Sequence, residues 1–306
     1  MNAIRLMAVL PLLALQLVSA QQIIPLYPGA IPNSKPVADE EVTERKGKLI
    51  SISKISIPSI AVYIPTNTKS NGTAVIIFPG GGYWVNTMSY EGIDVAKQLN
   101  EWGVTAFVVK YRIPDERTMP DPSIGPLQDA QQAMLFVRSN AIKYGIDPKR
   151  IGVLGFSAGG HLAATIGTQY KRSLIDNPAN VSLRPDFMIL AYPVISTDTT
   201  ISHKGSFDKL LGQHPTVEKL IAFSPEKQVT ADTPPAFLVH AADDDVVPSD
   251  NSIVFYQALL RNKVRAELHI YERGGHGFGM INPTTNDSWM ERCKNWMKSN
   301  GWLTGK

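Results

Sequence analysis

The chain has 306 residues, 43% of them hydrophobic and 19% charged, with a formal net charge of +3. That composition excludes a disordered or fibrous chain and suffices for one large α/β domain with a sizeable core. Its Lys and Arg residues are scattered rather than clustered, which gives no electrostatic footprint for nucleic acid.

Residues 1–20 read as a separate object. Arg5 sits in a short positive start, residues 6–18 are a mostly apolar run, and Val18-Ser19-Ala20 supplies small residues before Gln21. This is the pattern of a secretory signal peptide cleaved after Ala20. The run is too short for a bilayer span, which takes about 20 residues. The expectation is an exported protein, secreted or periplasmic, with residues 21–306 as one domain and no membrane span. The single cysteine, Cys293, cannot form an internal disulfide and reads as a packing residue of a C-terminal helix.

Residues 21–44, with Pro25, Pro28, Pro32 and Pro36, read as an extended arm. Residues 49–57 and 60–64 predict two antiparallel strands joined near Pro58, with a bulge at Lys54 where the alternation slips. The run AVIIF at 74–78 predicts a strand buried on both faces. It leads into Pro79-Gly80-Gly81-Gly82-Tyr83-Trp84. Three consecutive glycines carry a large conformational entropy cost, so they point to a need for exposed backbone N–H groups. Helical spacing at 92–102, an apolar strand at 104–111 and a long amphipathic helix over 126–144 follow. Strands are predicted at 151–156, 187–192, 236–240 and 266–271, and helices at 251–261 and 286–299. Residues 193–234 lack a strand pattern and read as an inserted cap. Strands alternating with helices predict a mostly parallel, doubly wound sheet flanked by helices.

The chemistry-bearing stretch is IGVLGFSAGGH at 151–161. Its G-x-S-x-G pattern, between a strand and a helix, lifts the Ser157 hydroxyl above the sheet and aims a helix N-terminus at whatever it attacks. Side chains at Gly155 or Gly159 would collide with the neighbouring strand or helix. Ligands in such sheets gather at the carboxyl ends of the strands. Three further strand ends carry reactive or backbone-exposing residues: Gly80-Gly81-Gly82, Asp243-Asp244-Asp245 and Gly274-Gly275-His276-Gly277. The order serine, acid, histidine is that of α/β-hydrolases. A serine hydroxyl needs a base, and His276 is the candidate. An acid must orient the imidazole; all three adjacent aspartates compete, with Asp244 chosen and Asp243 second. The oxyanion would be met by the backbone amides of Gly81, Gly82 and Ala158. Tyr83, Trp84 and Phe278 are candidate substrate contacts, with simple packing as the alternative. His161 is expected to pack or cap, His240 to fill space beside the acid, and His203, His214 and His269 carry no motif. The glycines at 275–279 lack dinucleotide spacing, and no second carboxylate cluster supports a metal, so neither cofactor nor metal is expected.

The segments GFSAGGH, PGGGYW, YEGIDVAKQLNEWGVTAFVVKYR, HAADDDVVP and GGHGFG, with the opening IPLYPGAIPNS, resemble secreted bacterial α/β-hydrolase esterases. The similarity runs from Ile24 to the C-terminal helix and is to the acetyl xylan esterase and feruloyl esterase-like group, related to the hormone-sensitive lipase type. It implies an α/β-hydrolase fold, a triad of Ser157, Asp244 and His276, and an oxyanion loop at Gly81 and Gly82. Pro79 stands where the lipase-type motif has histidine, which makes Tyr83 a further candidate for the donor set. The implied activity is hydrolysis of small acyl esters, acetyl above all, on xylan or related carbohydrate. Two rival readings are a serine peptidase of the prolyl oligopeptidase type, though no propeller domain precedes the hydrolase pattern, and a non-catalytic carbohydrate-binding protein on the same scaffold.

Overall fold

The computed structural model describes residues 22–303; the expected leader at 1–20 lies outside them. In chain order the elements are β1 (Gln22–Pro25), β2 (Val42–Lys46), β3 (Leu49–Ser53), β4 (Ser59–Tyr63), β5 (Ala74–Phe78) and β6 (Val85–Thr87). Then come α1 (Asp94–Glu101), β7 (Thr105–Lys110), α2 (Gly125–Ser139), β8 (Ile151–Phe156), α3 (Ser157–Gln169) and β9 (Met188–Ala191). The chain closes with α4 (Lys204–Leu211), α5 (Val217–Ala222), β10 (Ala236–Ala241), α6 (Asp250–Arg261), β11 (Ala266–Tyr271) and α7 (Trp289–Ser299).

Eight strands form one sheet in the order β1-β4-β7-β5-β8-β9-β10-β11. From β7 to β11 every pairing is parallel, while β4 is antiparallel to both β1 and β7. Period-two alternation divides each central strand between two cores. Ile76, Phe78 and Val153 face one way, against Ala130 and Met134 of α2, Leu162 of α3 and Phe255 of α6. Val75, Ile77 and Leu154 face the other, against Val95 and Leu99 of α1 and Trp289, Cys293 and Trp296 of α7. Cys293 is buried there, as its sequence position predicts, and burial pushes its thiol pKa up. The sheet is mostly parallel and doubly wound, as the strand–helix alternation anticipates, and it has the α/β-hydrolase architecture that the resemblance implies.

The amino-terminal third departs from expectation. Strands β3 and β4 do not pair with each other. Lys54 takes a left-handed conformation (φ 53°) that turns the chain out of one sheet and into another. As a result β3 joins β2 and β6 in a separate three-stranded antiparallel sheet, while β4 lies between β1 and β7. The arm at 21–44 is likewise more ordered than an overlying strap. It supplies the sheet edge β1 and the strand β2, and Arg112 donates to the Pro32 carbonyl at 2.8 Å. The helix expected over 126–144 stops at Ser139, where the Asn140 side chain donates to Phe136 O and the chain passes into turns. The segment 193–234 carries α4 and α5 and no strand. It does not stand apart from the domain, because Phe207, Leu210, Leu211 and Phe223 belong to the α2–α3 core. Asn251 of α6 ties down its start, accepting from Ile195 N and Ser196 N at 2.9 and 3.0 Å.

Candidate active site

Four loops converge at the carboxyl ends of β5, β8, β10 and β11. Ser157 opens α3 directly after β8 with φ 51°, a strained conformation for a side-chain-bearing residue that persists only where its surroundings enforce it. Two glycines make the turn possible. A Cβ at Gly155 would run into the Gly159 carbonyl, and one at Gly159 into the carbonyls of Phe78 and Pro79. The glycine loop after β5 lies directly on the serine: a Cβ at Gly80 would sit 3.0 Å from Ser157 Cβ.

The His276 imidazole, on the loop after β11, places Nε2 2.9 Å from Ser157 Oγ and Nδ1 2.7 Å from Asp244 Oδ2. An ionised carboxylate only accepts, so the proton sits on Nδ1 and Nε2 is left to accept from the serine hydroxyl. Of the three adjacent aspartates, Asp244 is the one that reaches the ring. Its Oδ1 accepts from Val246 N and Val247 N at 3.0 and 2.8 Å, and its Oδ2 also meets His240 Nε2 at 3.2 Å. Burial acts to raise the Asp244 pKa, but the hydrogen bonds from His240, His276 and Val247 outweigh it and hold the carboxyl well below the usual carboxylate range. Asp243 instead accepts from Gly275 N at 2.8 Å and so steadies the histidine loop, while Asp245 points to solvent. His240 fills the space behind the acid as expected, its Nδ1 2.8 Å from Ser252 Oγ.

Gly81 and Gly82 adopt φ 124° and 63°, conformations that favour glycine. Among the described residues neither amide has a protein acceptor, whereas Gly80 N is occupied by Glu91. The Ala158 N–H, in the first turn of α3, has no intrahelical partner either. Three amides without an acceptor among the described residues thus lie on the two loops that meet at Ser157.

The aromatic candidates separate. Tyr83 is 1% exposed, so the expectation that its ring meets substrate is corrected. Its φ of 63° turns the side chain into the core, where its hydroxyl lies 2.8 Å from His161 Nδ1. His161 Nε2 reaches Phe223 O at 2.9 Å, and burial pushes this imidazole down to about 4, so it packs as a neutral ring. Phe278 is half-buried and packs edge-on against Tyr192 at 4.7 Å. Trp84 is 59% exposed, with Lys209 Nζ 4.6 Å from its ring centroid. It borders a groove of about 620 Å³ between the 114–123 loop and α4.

Beside the site lie Glu91, Tyr192 and Ser206, to which the sequence assigned no role, and His203, which was expected to have none. Glu91 and Tyr192 join the glycine loop to the His276 loop. His203, whose pKa is lowered first by burial and then by the charge of His276, bonds Ser206 Oγ through Nδ1 at 2.8 Å. Ser206 Oγ in turn lies 3.9 Å from where a Gly82 Cβ would be. The only local signal was Glu91 following the glycine loop within YEG; nothing in the local pattern distinguishes the other three. Among the described residues no group of three or more His, Cys, Asp or Glu is placed to hold a metal ion, and no helix is long and apolar enough to cross a membrane.

Residues 60–259 match the BD-FAE family model. The chain is 37% identical over 235 residues to endo-1,4-β-xylanase B of Butyrivibrio fibrisolvens, covering 76% of this chain and 36% of that protein. It is 37% identical over 243 residues to an acetylxylan esterase of Xylanibacter ruminicola, covering 78% and 47% respectively. The chain therefore spans less than half the length of these two relatives. The acetyl ester-xyloside bifunctional hydrolase of Caldicellulosiruptor lactoaceticus has a similar structure, with a TM-score of 0.81 at 37% identity, covering 94% of this chain and all of that one. With a sheet of this order, a serine turn of this geometry and a match over two hundred residues, the chain belongs to the BD-FAE family of α/β-hydrolases.

Proposed function

We propose that this chain is an exported serine esterase that removes small acyl groups, acetyl foremost, from xylan or a related carbohydrate. The observation that carries the reading is the unbroken hydrogen-bonded line from Ser157 Oγ through His276 to Asp244. Relatives named as acetylxylan esterase and as acetyl ester-xyloside hydrolase support the substrate class. Export rests on the leader pattern at 1–20, and residues 21–306 act as one domain with the 193–234 segment as a cap-like insertion.

Ser157 Oγ attacks the ester carbonyl carbon as its proton passes to His276 Nε2. The carbonyl oxygen becomes an oxyanion that accepts from the amides of Gly81, Gly82 and Ala158. The C–O bond to the alcohol then breaks, and His276 returns the proton to the leaving oxygen. A water molecule, deprotonated by His276, attacks the acyl-enzyme, releasing the carboxylic acid and restoring Ser157. The sugar portion lies along the groove beside Trp84, whose exposed ring offers a stacking face, with Asp115, Arg117 and Lys209 as hydrogen-bonding partners.

The test is acetate release from acetylated xylo-oligosaccharides and hydrolysis of p-nitrophenyl acetate by the wild type and Ser157→Ala. The substitution should lower kcat by at least about 10³-fold. A loss under tenfold, or no labelling of the wild type by an organophosphonate, would leave the non-catalytic binding reading. Cleavage of a peptide p-nitroanilide but not of the acetate ester would favour the peptidase. Trp84→Ala should cut kcat/KM on the oligosaccharide about tenfold and leave the p-nitrophenyl ester within twofold; equal losses would refute the groove assignment.

A further inference from the structure

One side chain that touches none of the proposed reacting atoms ties their loops together. Glu91 lies on the turn Ser89–Ile93 after β6 and is 3% exposed. Its Oε2 accepts the Gly80 N–H at 2.9 Å, and its Oε1 accepts the Tyr192 hydroxyl at 2.8 Å. The Tyr192 oxygen in turn accepts the Gly279 N–H at 3.0 Å. Tyr192 directly follows β9 with φ 37°, and its ring stands edge-on to His276 at 5.1 Å. One carboxylate therefore links the chain leaving β5, β9 and β11, with the glycine loop on one side and the His276 loop on the other.

The choice of a carboxylate needs a reason, because burying an acid away from a cation is unfavourable. Two donors converge on Glu91, and a carboxylate is an acceptor only. A glutamine would satisfy one donor and turn its amide N–H₂ towards the other. The charge that stabilises the ionised form is the one that develops on His276. The other titratable groups facing Glu91 are the phenols of Tyr90, Tyr111 and Tyr192, which burial raises and so keeps neutral.

We propose that Glu91 is a positioning residue for the acyl transfer. Through Gly80 directly, and through Tyr192 to Gly279, it clamps the oxyanion loop and the His276 loop in one register. The clamp loosens when the carboxylate takes up a proton. This rests on the esterase reading above. Protonation removes the charge that strengthens both hydrogen bonds and turns one acceptor oxygen into a donor, so the Tyr192 hydroxyl must reverse from donating to accepting for that contact to persist. Burial pushes the Glu91 carboxyl up to about 7, against the opposing pull of Tyr192, Gly80 and His276, which places this event in the neutral range.

The experiment compares wild type, Glu91→Gln and Tyr192→Phe by pH-dependent kinetics on p-nitrophenyl acetate and by amide hydrogen exchange read by mass spectrometry. Glu91→Gln should lower kcat at pH 8 about 30- to 100-fold with KM within threefold. In the wild type log kcat against pH should show a step near neutral pH, where Glu91 takes up its proton, and this step should be absent from Glu91→Gln. In Glu91→Gln exchange should quicken at the loop that meets the amide N–H₂, 79–84 or 274–280, and in Tyr192→Phe at 274–280 alone, where Glu91 still holds Gly80. A folded Glu91→Gln protein with kcat within threefold of wild type and an unchanged step near neutral pH would overturn the proposal, as would exchange that quickens at neither loop. If Glu91→Gln does not fold, Tyr192→Phe decides: unaltered exchange at 274–280 refutes the clamp. Should the wild type hydrolyse no ester while the exchange pattern holds, the clamp stands and the esterase reading is what fails.

Discussion

Gly159→Ala tests the geometry of the serine turn with the smallest possible change. The added Cβ would fall 2.1 Å from Phe78 O and 2.5 Å from Pro79 O, whereas side-chain Cβ atoms do not approach other atoms closer than 3.0 Å. Both obstructing atoms are backbone, so neither can rotate away, and α3 and the end of β5 must separate by about 0.9 Å. That end of β5 carries the glycine loop, so the displacement moves Gly81 and Gly82 relative to Ser157 Oγ. A misplacement of about 1 Å at reacting groups costs on the order of 10²-fold, so kcat/KM for p-nitrophenyl acetate should fall by about that factor, mostly in kcat. Stability should change far less. Alanine gains up to about 1 kcal/mol of helix propensity over glycine, while overpacking costs about 1–3 kcal/mol. The thermal midpoint should therefore drop by no more than about 8 °C. Gly29→Ala is the control, since nothing lies within 4 Å of its added Cβ. A folded Gly159→Ala enzyme with kcat/KM within threefold of wild type would refute the claim that the two loops are in mutual register.

Three other outcomes follow from the hydrogen bonds. Asp244→Asn should reduce kcat about 10⁴-fold by disturbing the imidazole tautomer, while Asp243→Asn, which still offers a carbonyl to Gly275 N, should stay within tenfold; steady-state kinetics on both variants decides. Asp129→Ala should cost about 3–5 kcal/mol in urea unfolding. It strands the fully buried Arg112 guanidinium, 2.8 Å from Asp129 Oδ1, and removes the acceptor of Tyr27 OH. The third concerns pH and stability. Glu91 loses its proton near 4.5 when unfolded and at about 7 when folded, so the native state holds the extra proton between those values. Its contribution to stability therefore falls as pH rises through that window, and the wild-type minus Glu91→Gln difference in unfolding free energy should decline from pH 4.5 to 7.5.

Local pattern determined a good deal about this protein. AVIIF and IGVLGF read as buried strands because a strand covered on both faces must be apolar throughout, whatever packs on it. The serine turn was legible because G-x-S-x-G is a constraint of a few consecutive residues: the glycines are there for clearances within the turn and against its neighbouring strand. His276 could be named from its glycine-rich setting at a strand end. What lay beyond reach were choices among near-equivalent neighbours. Three consecutive aspartates differ only in where the loop aims each carboxylate, and that direction belongs to the packing of β10 against β11. Tyr83 and Trp84 are adjacent aromatics, yet one backbone angle sends the first into the core and leaves the second at the surface. The left-handed Lys54 divided what looked like one hairpin between two sheets. Glu91 and Tyr192 stand 101 residues apart, and their hydrogen bond exists because β5 and β9 both flank β8. Strand character, turn clearance and motif order are short-range and were carried by the sequence alone. Which carboxylate meets which ring is set by strand neighbours distant in the chain, and only the folded sheet decided it.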